Sequence, residues 1–312
     1  MSKNVVLVTA ADLAPEALAL LSDFDVVFAG KSPTDDDIVA LCAKHNPVAI
    51  IVRYAKVGAA AMNAAPQLRV ISKHGSGTDT IDKGAAEARG IKVVAAVGAN
   101  AAAVAEHAAA LLLACAKSVV QLDARMRNGH WDKSTHKSVE LEGRCVGVIG
   151  LGAIGQRFSA IAHAMGMRVI GFDPFAKNVP DYIEQVELAE IWSQSDAISL
   201  HCPLTSENRH LINANTLGQC KPGVIIVNTA RGGLIDEAAL IQAVQARHVS
   251  QAGLDSFDVE PMVADHPFQR EANILLSPHV GGVTADAYTK MGVASARNAL
   301  QFITPSCAQV SA

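Results

Sequence analysis

Short runs of aliphatic and β-branched residues alternate with stretches of helical periodicity along most of the chain. The strand-like runs of the first hundred residues are Val5–Thr9, Val26–Ala29, Ala49–Val52, Leu68–Ser72 and Ile91–Ala95. Beyond residue 144 they are Cys145–Ile149, Arg168–Phe172, Ala197–His201, Val224–Asn228, Ala252–Asp255 and Ile274–Ser277. Strands that alternate with helices form parallel sheets with helices on both faces. The pattern therefore predicts an α/β fold with two doubly wound parallel sheets.

Three helices have clear boundary signals. Thr34 precedes three aspartates, so it is predicted to cap a helix whose positive end attracts their carboxylates. One long helix is predicted from about Ala101 to Arg127, followed by a stop signal at Gly129. A second is predicted from near Thr284 to about Ile303. These two long helices are expected to bracket the second sheet.

The order of these elements predicts a chain that builds most of one domain, crosses to a second, and returns to finish the first. The first domain is expected to comprise residues 1–98 together with 285–312, and the second residues 99–284. This arrangement is expected to place a cleft between the domains. A chain of 312 residues is also long enough for a single barrel, but two crossing helices disfavour that alternative. No length is expected to remain for an appended regulatory domain.

Composition and charge exclude several classes of protein. Half of the residues are hydrophobic and 18% are charged, as in a globular protein, and the net charge of −4 gives no basis for nucleic-acid binding. The longest apolar run, residues 108–116, is too short to span a membrane, and no secretory leader is evident. The six cysteines are scattered without a Cys-x-x-Cys pair, which predicts reduced thiols and no metal site. The expected location is the cytoplasm.

A glycine-rich turn follows the apolar run at 146–149 and opens an amphipathic helix. Its glycines, Gly150, Gly152 and Gly155, have the spacing of a dinucleotide-binding turn, in which backbone N–H groups and the helix N-terminus face a pyrophosphate. Asp173 ends the next strand, eighteen residues after Gly155, where a carboxylate accepts hydrogen bonds from the adenosine ribose. The same carboxylate would repel a 2′-phosphate. The sequence therefore predicts NAD rather than NADP as cofactor.

Three polar residues after strands of the second sheet are the candidate catalytic group. Arg231, Glu260 and His279 can converge, because loops at the carboxyl ends of parallel strands line one crevice. Arginine can hold a carboxylate in a bidentate pair, histidine can transfer a proton, and a glutamate can orient the imidazole and favour its charged form. His107, on a mostly apolar helix, is interpreted as a packed or hydrogen-bonded residue rather than a second acid.

Several motifs resemble the D-isomer-specific 2-hydroxyacid dehydrogenase family, over essentially the whole chain. They are Lys73-His-Gly-Ser-Gly-Thr-Asp-Thr-Ile-Asp82, Asn100-Ala-Ala-Ala-Val-Ala-Glu-His107, Gly150-Leu-Gly-Ala-Ile-Gly155, His201-Cys-Pro-Leu-Thr205, Asn228-Thr-Ala-Arg-Gly-Gly233, Gly253-Leu-Asp255 and Ser277-Pro-His-Val-Gly-Gly282. The resemblance implies two Rossmann-like or flavodoxin-like domains with an active-site cleft between them, and a homodimer joined through the nucleotide domain.

The resemblance also implies roles for individual residues. Arg231 would bind the substrate carboxylate, His279 would be the acid and base, and Glu260 would support it. Backbone donors to the substrate would come from Gly75, Ser76 and Gly77. Contacts to the cofactor would come from Ser76, Val104, Gly150, Gly152, Ala153, Ile154, Gly155, Asp173, His201, Cys202, Pro203, Thr229, Ala230, Arg231, Asp255, His279, Gly281 and Gly282.

The substrate class rests on two cations at strand ends in the first domain. Arg53 and Lys73 suggest a small 2-hydroxy or 2-oxo acid with a second anionic group, and Ile51-Val-Arg53 resembles phosphoglycerate dehydrogenases. The stretch at 132–137 is less basic than in some of those enzymes, which weighs against 3-phosphoglycerate. Two alternatives remain: a glyoxylate or hydroxypyruvate reductase, and, in another class, an NAD-sensing interaction protein like the corepressors that share this fold.

Overall fold

The computed structural model describes residues 3–304, and contacts within the chain separate into two units. Residues up to Asn100 and from Val283 form the first unit, and Ala101–Gly282 form the second. Cys307, one of the six predicted thiols, lies outside the described residues. The other five cysteines are free.

The first unit is built on a five-stranded parallel sheet. Its strands are β1 (Val5–Val8), β2 (Asp25–Phe28), β3 (Ala49–Val52), β4 (Val70–Lys73) and β5 (Lys92–Ala95), in the spatial order β2-β1-β3-β4-β5. Its helices are α1 (Pro15–Leu20), α2 (Asp35–His45), α3 (Ala59–Asn63), α4 (Lys83–Glu87) and α11 (Ala285–Ile303). Buried aliphatic residues cover both faces of the sheet, since β3 is buried along its whole length. This is the flavodoxin-like strand order.

Thr34 caps α2 as predicted. Its hydroxyl accepts a hydrogen bond from the Asp37 N–H at 3.2 Å, and the Asp37 carboxylate accepts one from the Thr34 N–H at 2.9 Å. The hydrogen bonds from Thr34 hold the pKa of Asp37 below its usual value. The chain therefore enters α2 through a reciprocal capping box.

The second unit is built on a seven-stranded parallel sheet. Its strands are β6 (Cys145–Ile149), β7 (Arg168–Phe172), β8 (Ile183–Gln185), β9 (Ala197–Leu200), β10 (Val224–Asn228), β11 (Val249–Leu254) and β12 (Ile274–Leu276), in the order β12-β11-β10-β9-β6-β7-β8. Its remaining helices include α7 (Ala153–Ala164), α8 (Leu188–Gln194), α9 (Ala214–Gln219) and α10 (Glu237–Gln245). The chain reverses its direction of winding between β6 and β9, and ligands bind at such switch points. The predicted fold class, two doubly wound parallel sheets, is confirmed.

The prediction of one continuous helix from Ala101 to Arg127 is wrong. The segment forms α5 (Ala101–Lys117) and α6 (Val119–Arg127), which meet at an angle of 59°. Ser118 lies between them in the left-handed region, with φ of 51°, and its hydroxyl accepts a hydrogen bond from the Gln251 side chain at 2.8 Å. No glycine or proline marks this break. The side-chain contact with β11 supports a conformation that the local sequence does not signal.

Within residues 3–304, no single helix has both the length and the apolar composition of a membrane span. The bent pair α5 and α6 meets those two criteria only when the helices are taken together. Most of α5 is packed inside the second unit.

Candidate active site

The glycine-rich turn between β6 and α7 depends on close backbone contacts. Gly150 has φ of +94°, and a Cβ there would lie 2.6 Å from the Cys202 nitrogen. A Cβ on Gly155 would lie 1.9 Å from the Gly150 carbonyl oxygen. Next to Gly152, in contrast, a Cβ would meet nothing within 4 Å. The turn is therefore tightly packed on its inner side and open where the second glycine faces outward.

The open side of this turn is the N-terminus of α7. Gly152 is the N-cap residue, and no side chain caps the helix. The first N–H groups of an α-helix have no partner inside the helix, so those of Ala153 and Ile154 are available to an anion beside Gly152. These residues fit the pyrophosphate of a dinucleotide.

Asp173 lies beside the glycine-rich turn at the end of β7. One carboxylate oxygen accepts a hydrogen bond from the Leu151 N–H at 2.8 Å, and the other accepts one from the Phe175 N–H at 2.8 Å. A carboxylate has about four acceptor positions, so both oxygens can still accept from ribose hydroxyls. The two backbone bonds fix the carboxylate in place before a ligand arrives.

The residues after β9 pack behind the turn. The His201 ring lies 5.0 Å from the Phe158 ring, and its Nε2 is 2.9 Å from the Ser199 hydroxyl. Burial lowers the pKa of His201 to about 3 and raises that of Cys202 to about 11. Both groups are therefore neutral at physiological pH. The structure gives the His201 side chain a packing role, whereas its backbone adjoins Gly150. Pro203 is exposed, and its carbonyl accepts a hydrogen bond from Asn208 at 2.7 Å.

The loop after β10 is shaped by the Asn228 side chain. Its amide oxygen accepts a hydrogen bond from the Ala230 N–H, and its amide nitrogen donates to the Arg231 carbonyl, both at 2.9 Å. The buried Thr229 hydroxyl has no hydrogen-bond partner among residues 3–304. Buried polar groups are rarely left without a partner. This hydroxyl is an observation of the structure that fits a bound ligand at the predicted cofactor position.

Arg231 is held against the segment that carries Glu260. One guanidinium nitrogen of Arg231 donates to the Ala230 carbonyl at 2.7 Å. The next residue, Gly232, approaches the backbone of Phe257 so closely that a Cβ would lie 1.8 Å from the Phe257 carbonyl carbon. The charge of Arg231 helps to lower the pKa of Glu260 and opposes the rise in the pKa of His279, so all three side chains share one electrostatic environment.

Glu260 and His279 form a hydrogen-bonded pair. The His279 Nδ1 lies 2.7 Å from one Glu260 oxygen, and the other oxygen accepts a hydrogen bond from the Phe257 N–H at 3.0 Å. The bond to Glu260 raises the pKa of His279, although burial opposes that shift. Burial raises the pKa of Glu260, but the hydrogen bonds from His279 and Phe257, together with the charges of His279 and Arg231, lower it by more. With Nδ1 engaged, Nε2 is the nitrogen that can exchange a proton with a substrate.

The turn that carries His279 is held by the buried carboxylate of Asp255. One oxygen accepts hydrogen bonds from the Ser277 hydroxyl at 2.6 Å and the Val280 N–H at 2.9 Å. The other accepts one from the Gly281 N–H at 2.8 Å. His107 lies 2.9 Å from the Ser277 hydroxyl, as the hydrogen-bonded interpretation of this residue predicts.

Sequence reasoning did not assign a role to Ser277 or Asn228. Both are short polar residues at the ends of buried strands, which is the signal that could have identified them. Gly282 follows the turn that Asp255 holds, and Val104 is buried on α5. The described residues contain no group of three His, Cys, Asp or Glu side chains arranged to hold a metal ion.

The remaining predicted residues lie in the first unit. Arg53 follows β3 and Lys73 ends β4, the neighbouring strand. Gly75 has φ of +141°, and its carbonyl accepts a hydrogen bond from the Ala96 N–H at 2.9 Å. Ser76 is exposed, with its hydroxyl 3.3 Å from the Asn100 side-chain oxygen, and Gly77 is partly exposed.

Residues 109–281 match the family described as "D-isomer specific 2-hydroxyacid dehydrogenase, NAD binding domain". The chain is 41% identical over 296 residues to a D-3-phosphoglycerate dehydrogenase of Mycobacterium tuberculosis, covering 94% of this chain and 55% of that protein. It is 42% identical over 249 residues to a hydroxypyruvate reductase of Thermotoga maritima, covering 78% and 81%.

A solved structure, that of the TT0316 protein of Thermus thermophilus, superimposes with a TM-score of 0.87 at 33% identity, covering 95% of this chain and 96% of that one. The chain spans about half the length of the mycobacterial relatives it matches. The family match over residues 109–281 covers more than half of the chain and includes Arg231, Glu260 and His279. The chain therefore belongs to the D-isomer specific 2-hydroxyacid dehydrogenase family.

Proposed function

We propose that the chain is an NAD-dependent oxidoreductase that interconverts a D-2-hydroxy acid and its 2-oxo acid. The observation that carries this proposal is the His279–Glu260 pair at 2.7 Å, with the positive charge of Arg231 beside it. An acid and base next to a carboxylate-binding cation is what the reduction of a 2-oxo acid requires of a protein. Membership in the family supports the same reaction.

The cofactor in this proposal is NAD, which when bound supplies or accepts a hydride. The N–H groups at the start of α7 would bind its pyrophosphate, and Asp173 would bind its adenosine ribose. The loops that contain Thr229, Ala230 and the turn from His279 to Gly282 would complete the binding site. Asp173 favours NAD over NADP, since its carboxylate would repel a 2′-phosphate.

In the proposed reaction, Arg231 holds the carboxylate of the substrate. In the direction of reduction, protonated His279 donates the proton on Nε2 to the carbonyl oxygen of the 2-oxo acid. Glu260 stabilises the charged imidazole and fixes its orientation through Nδ1. In the direction of oxidation, neutral His279 accepts the proton of the hydroxyl group at the same nitrogen.

The proposed substrate is a small 2-hydroxy or 2-oxo acid. One relative is named for a phosphorylated acid and another for hydroxypyruvate, and both are about equally similar to this chain. Backbone groups of Gly75, Ser76 and Gly77 are proposed donors to the substrate. Arg53 and Lys73 are proposed to contact the second functional group of the substrate.

We further propose a homodimer formed through the second unit. Several large apolar side chains of α6 and the segment after it are exposed, namely Val119, Val120, Met126, Trp131 and Val139. Exposed apolar patches are typical of interaction surfaces, and these side chains are the proposed members of one. The five free thiols fit a reducing compartment, so we propose that the protein acts in the cytoplasm.

Replacing the proposed acid tests the reaction directly. His279→Asn is expected to lower kcat for NADH-dependent reduction of hydroxypyruvate or glyoxylate by about 100-fold or more, because the proton donor is lost. Asparagine tolerates the positive φ of 54° at this position. His210→Asn is a matched control, since His210 has the same φ. Turnover within about threefold of the unmodified protein in His279→Asn would contradict the assignment.

Replacing Glu260 tests its effect on the imidazole. Glu260→Gln is expected to lower the pKa of His279, because the hydrogen bond that His279 donates to the carboxylate raises it. In the pH–rate profile for oxidation, which needs neutral His279, the limb would then move to lower pH. The rate limb for reduction, which needs protonated His279, would also move to lower pH. NMR titration of the histidine ring measures the pKa itself, and an unmoved value would mean that Glu260 only positions the ring.

The cofactor assignment predicts a selective loss of affinity. Asp173→Ala is expected to weaken NADH binding more than NADPH binding, because the carboxylate bonds the ribose of one and repels the phosphate of the other. Fluorescence titration with both dinucleotides gives the two Kd values. Asp181→Ala, which removes an exposed acid from the same unit, is the control. An equal loss for both cofactors would argue against the ribose contact.

The dimer proposal predicts a mass of twice 32.6 kDa in solution. Replacing Val120 and Trp131 together by serine is expected to give the monomer mass, because both side chains lie on the exposed apolar surface. Light scattering after size-exclusion chromatography measures the mass. Phe175→Ser, which removes an exposed aromatic ring elsewhere on the unit, should leave it unchanged. A monomer before any substitution would refute the proposal.

A further inference from the structure

Arg53, one of the two cations at the strand ends of the first unit, is already paired with a carboxylate. Its backbone N–H donates to the Thr9 hydroxyl at 3.0 Å, which fixes the start of the side chain. One guanidinium nitrogen donates to the Asp12 carboxylate and also, at 3.3 Å, to the Asp12 carbonyl. The Arg53 side chain is only 14% exposed. The guanidinium is therefore held in one orientation by a neighbouring acid.

Two aromatic rings flank the guanidinium. The Arg53 Cζ lies 5.1 Å from the centre of the Tyr54 ring and 4.9 Å from that of Tyr288 on α11. Both distances are within the range of cation–π attraction. The rings limit the directions from which a ligand can reach the guanidinium, and they favour the observed orientation of Arg53.

Tyr288 also holds the acid that pairs with Arg53. Its hydroxyl donates to the Asp12 carboxylate at 2.8 Å. This hydrogen bond, opposed by burial and assisted by Arg53, keeps the pKa of Asp12 below its usual value. Asp12 is therefore ionised at physiological pH. Its side chain is 68% exposed, so it presents its negative charge to solvent next to Arg53.

Two other titratable groups, Lys73 and His74, lie around this cluster. The Lys73 amine donates to the backbone carbonyl of Arg53. The His74 ring lies 5.5 Å from the Tyr288 ring, and burial lowers its pKa to about 4, so it is neutral. Arg53, one of the two cations predicted to bind a second anionic group, is thus neutralised by Asp12 of the same unit.

We propose that Asp12 is a specificity-determining residue that disfavours substrates with a second anionic group. This inference rests on the proposed function and on the roles of Arg53 and Lys73 in it. A phosphate ester near Arg53 would meet the Asp12 carboxylate at close range, and like charges repel. A hydroxymethyl group carries no such charge and can accept or donate hydrogen bonds there. The favoured substrates are therefore unphosphorylated 2-oxo acids, such as hydroxypyruvate or glyoxylate.

Two substrates that differ only in a phosphate ester test the inference. They are hydroxypyruvate and 3-phosphohydroxypyruvate, each assayed with NADH and the full chain. The unmodified protein is expected to prefer hydroxypyruvate by kcat/KM. Asp12→Asn is expected to raise the kcat/KM ratio of the phosphorylated to the unphosphorylated substrate by about tenfold, because the amide keeps the size of the side chain and loses its charge.

Further variants separate a charge effect from a structural one. In the double variant Asp12→Asn with Arg53→Gln, the gain for the phosphorylated substrate should disappear, since the released guanidinium is absent. Asp12→Ser also removes the charge, so it should raise the ratio as well and gives a second measurement if Asp12→Asn folds poorly. Tyr288→Phe removes a hydrogen bond to Asp12 but leaves its charge, so it should leave the ratio within twofold of the unmodified protein. Glu16→Gln removes an exposed acid from nearby α1 and should leave the ratio unchanged.

The outcomes distinguish this inference from the proposed function. If the unmodified protein reduces neither substrate nor glyoxylate, the proposed function fails. If it reduces them but prefers the phosphorylated acid, the role of Asp12 is refuted and the function stands. The role is also refuted if the protein prefers hydroxypyruvate while Asp12→Asn and Asp12→Ser both leave the ratio within twofold. A rise in the ratio that depends on Arg53 supports the inference.

Discussion

The candidate site depends on the hydrogen bonds that the buried carboxylate of Asp255 accepts. Its oxygens accept hydrogen bonds from the Ser277 hydroxyl and from the N–H groups of Val280 and Gly281. These bonds hold His279 in a left-handed conformation, which is costly for a residue other than glycine. A neutral side chain at 255 would form weaker bonds, because hydrogen bonds to a charged acceptor are the stronger kind. The position of the proposed proton donor is thus set by a carboxylate that does not itself transfer a proton.

The sequence predicts the fold class because one local pattern recurs along each unit. Buried aliphatic runs alternate with helices, and this pattern leads to parallel sheets whichever residues fill the loops. The residues of the glycine-rich turn are also local in sequence, since Gly150, Gly155 and Asp173 lie between the end of β6 and the end of β7. The short edge strand β8 escapes prediction because only Ile183 of its three residues is buried. An alternating or continuous apolar pattern needs more than one buried position.

Long-range contacts account for what the sequence does not predict. The break at Ser118 depends on a hydrogen bond from Gln251, 133 residues away. The pairing of Arg53 with Asp12 joins two loops that are 41 residues apart, and Tyr288 reaches the same carboxylate from the other end of the chain. At the sequence level Arg53 is simply a cation at a strand end. Its electrostatic effect on a ligand is decided by an acid and a phenol that no local pattern connects to it.

The neutral ring of His201 beneath the glycine-rich turn has a consequence for how the protein responds to acidity. With a pKa of about 3, this imidazole gains no proton between pH 5 and pH 8, and the adjacent Cys202 loses none. The electric field at the start of α7 is therefore constant over that range as far as these two groups determine it. Across that range these two side chains therefore add no charge on the side of the turn where they lie, next to the N–H groups at the start of α7.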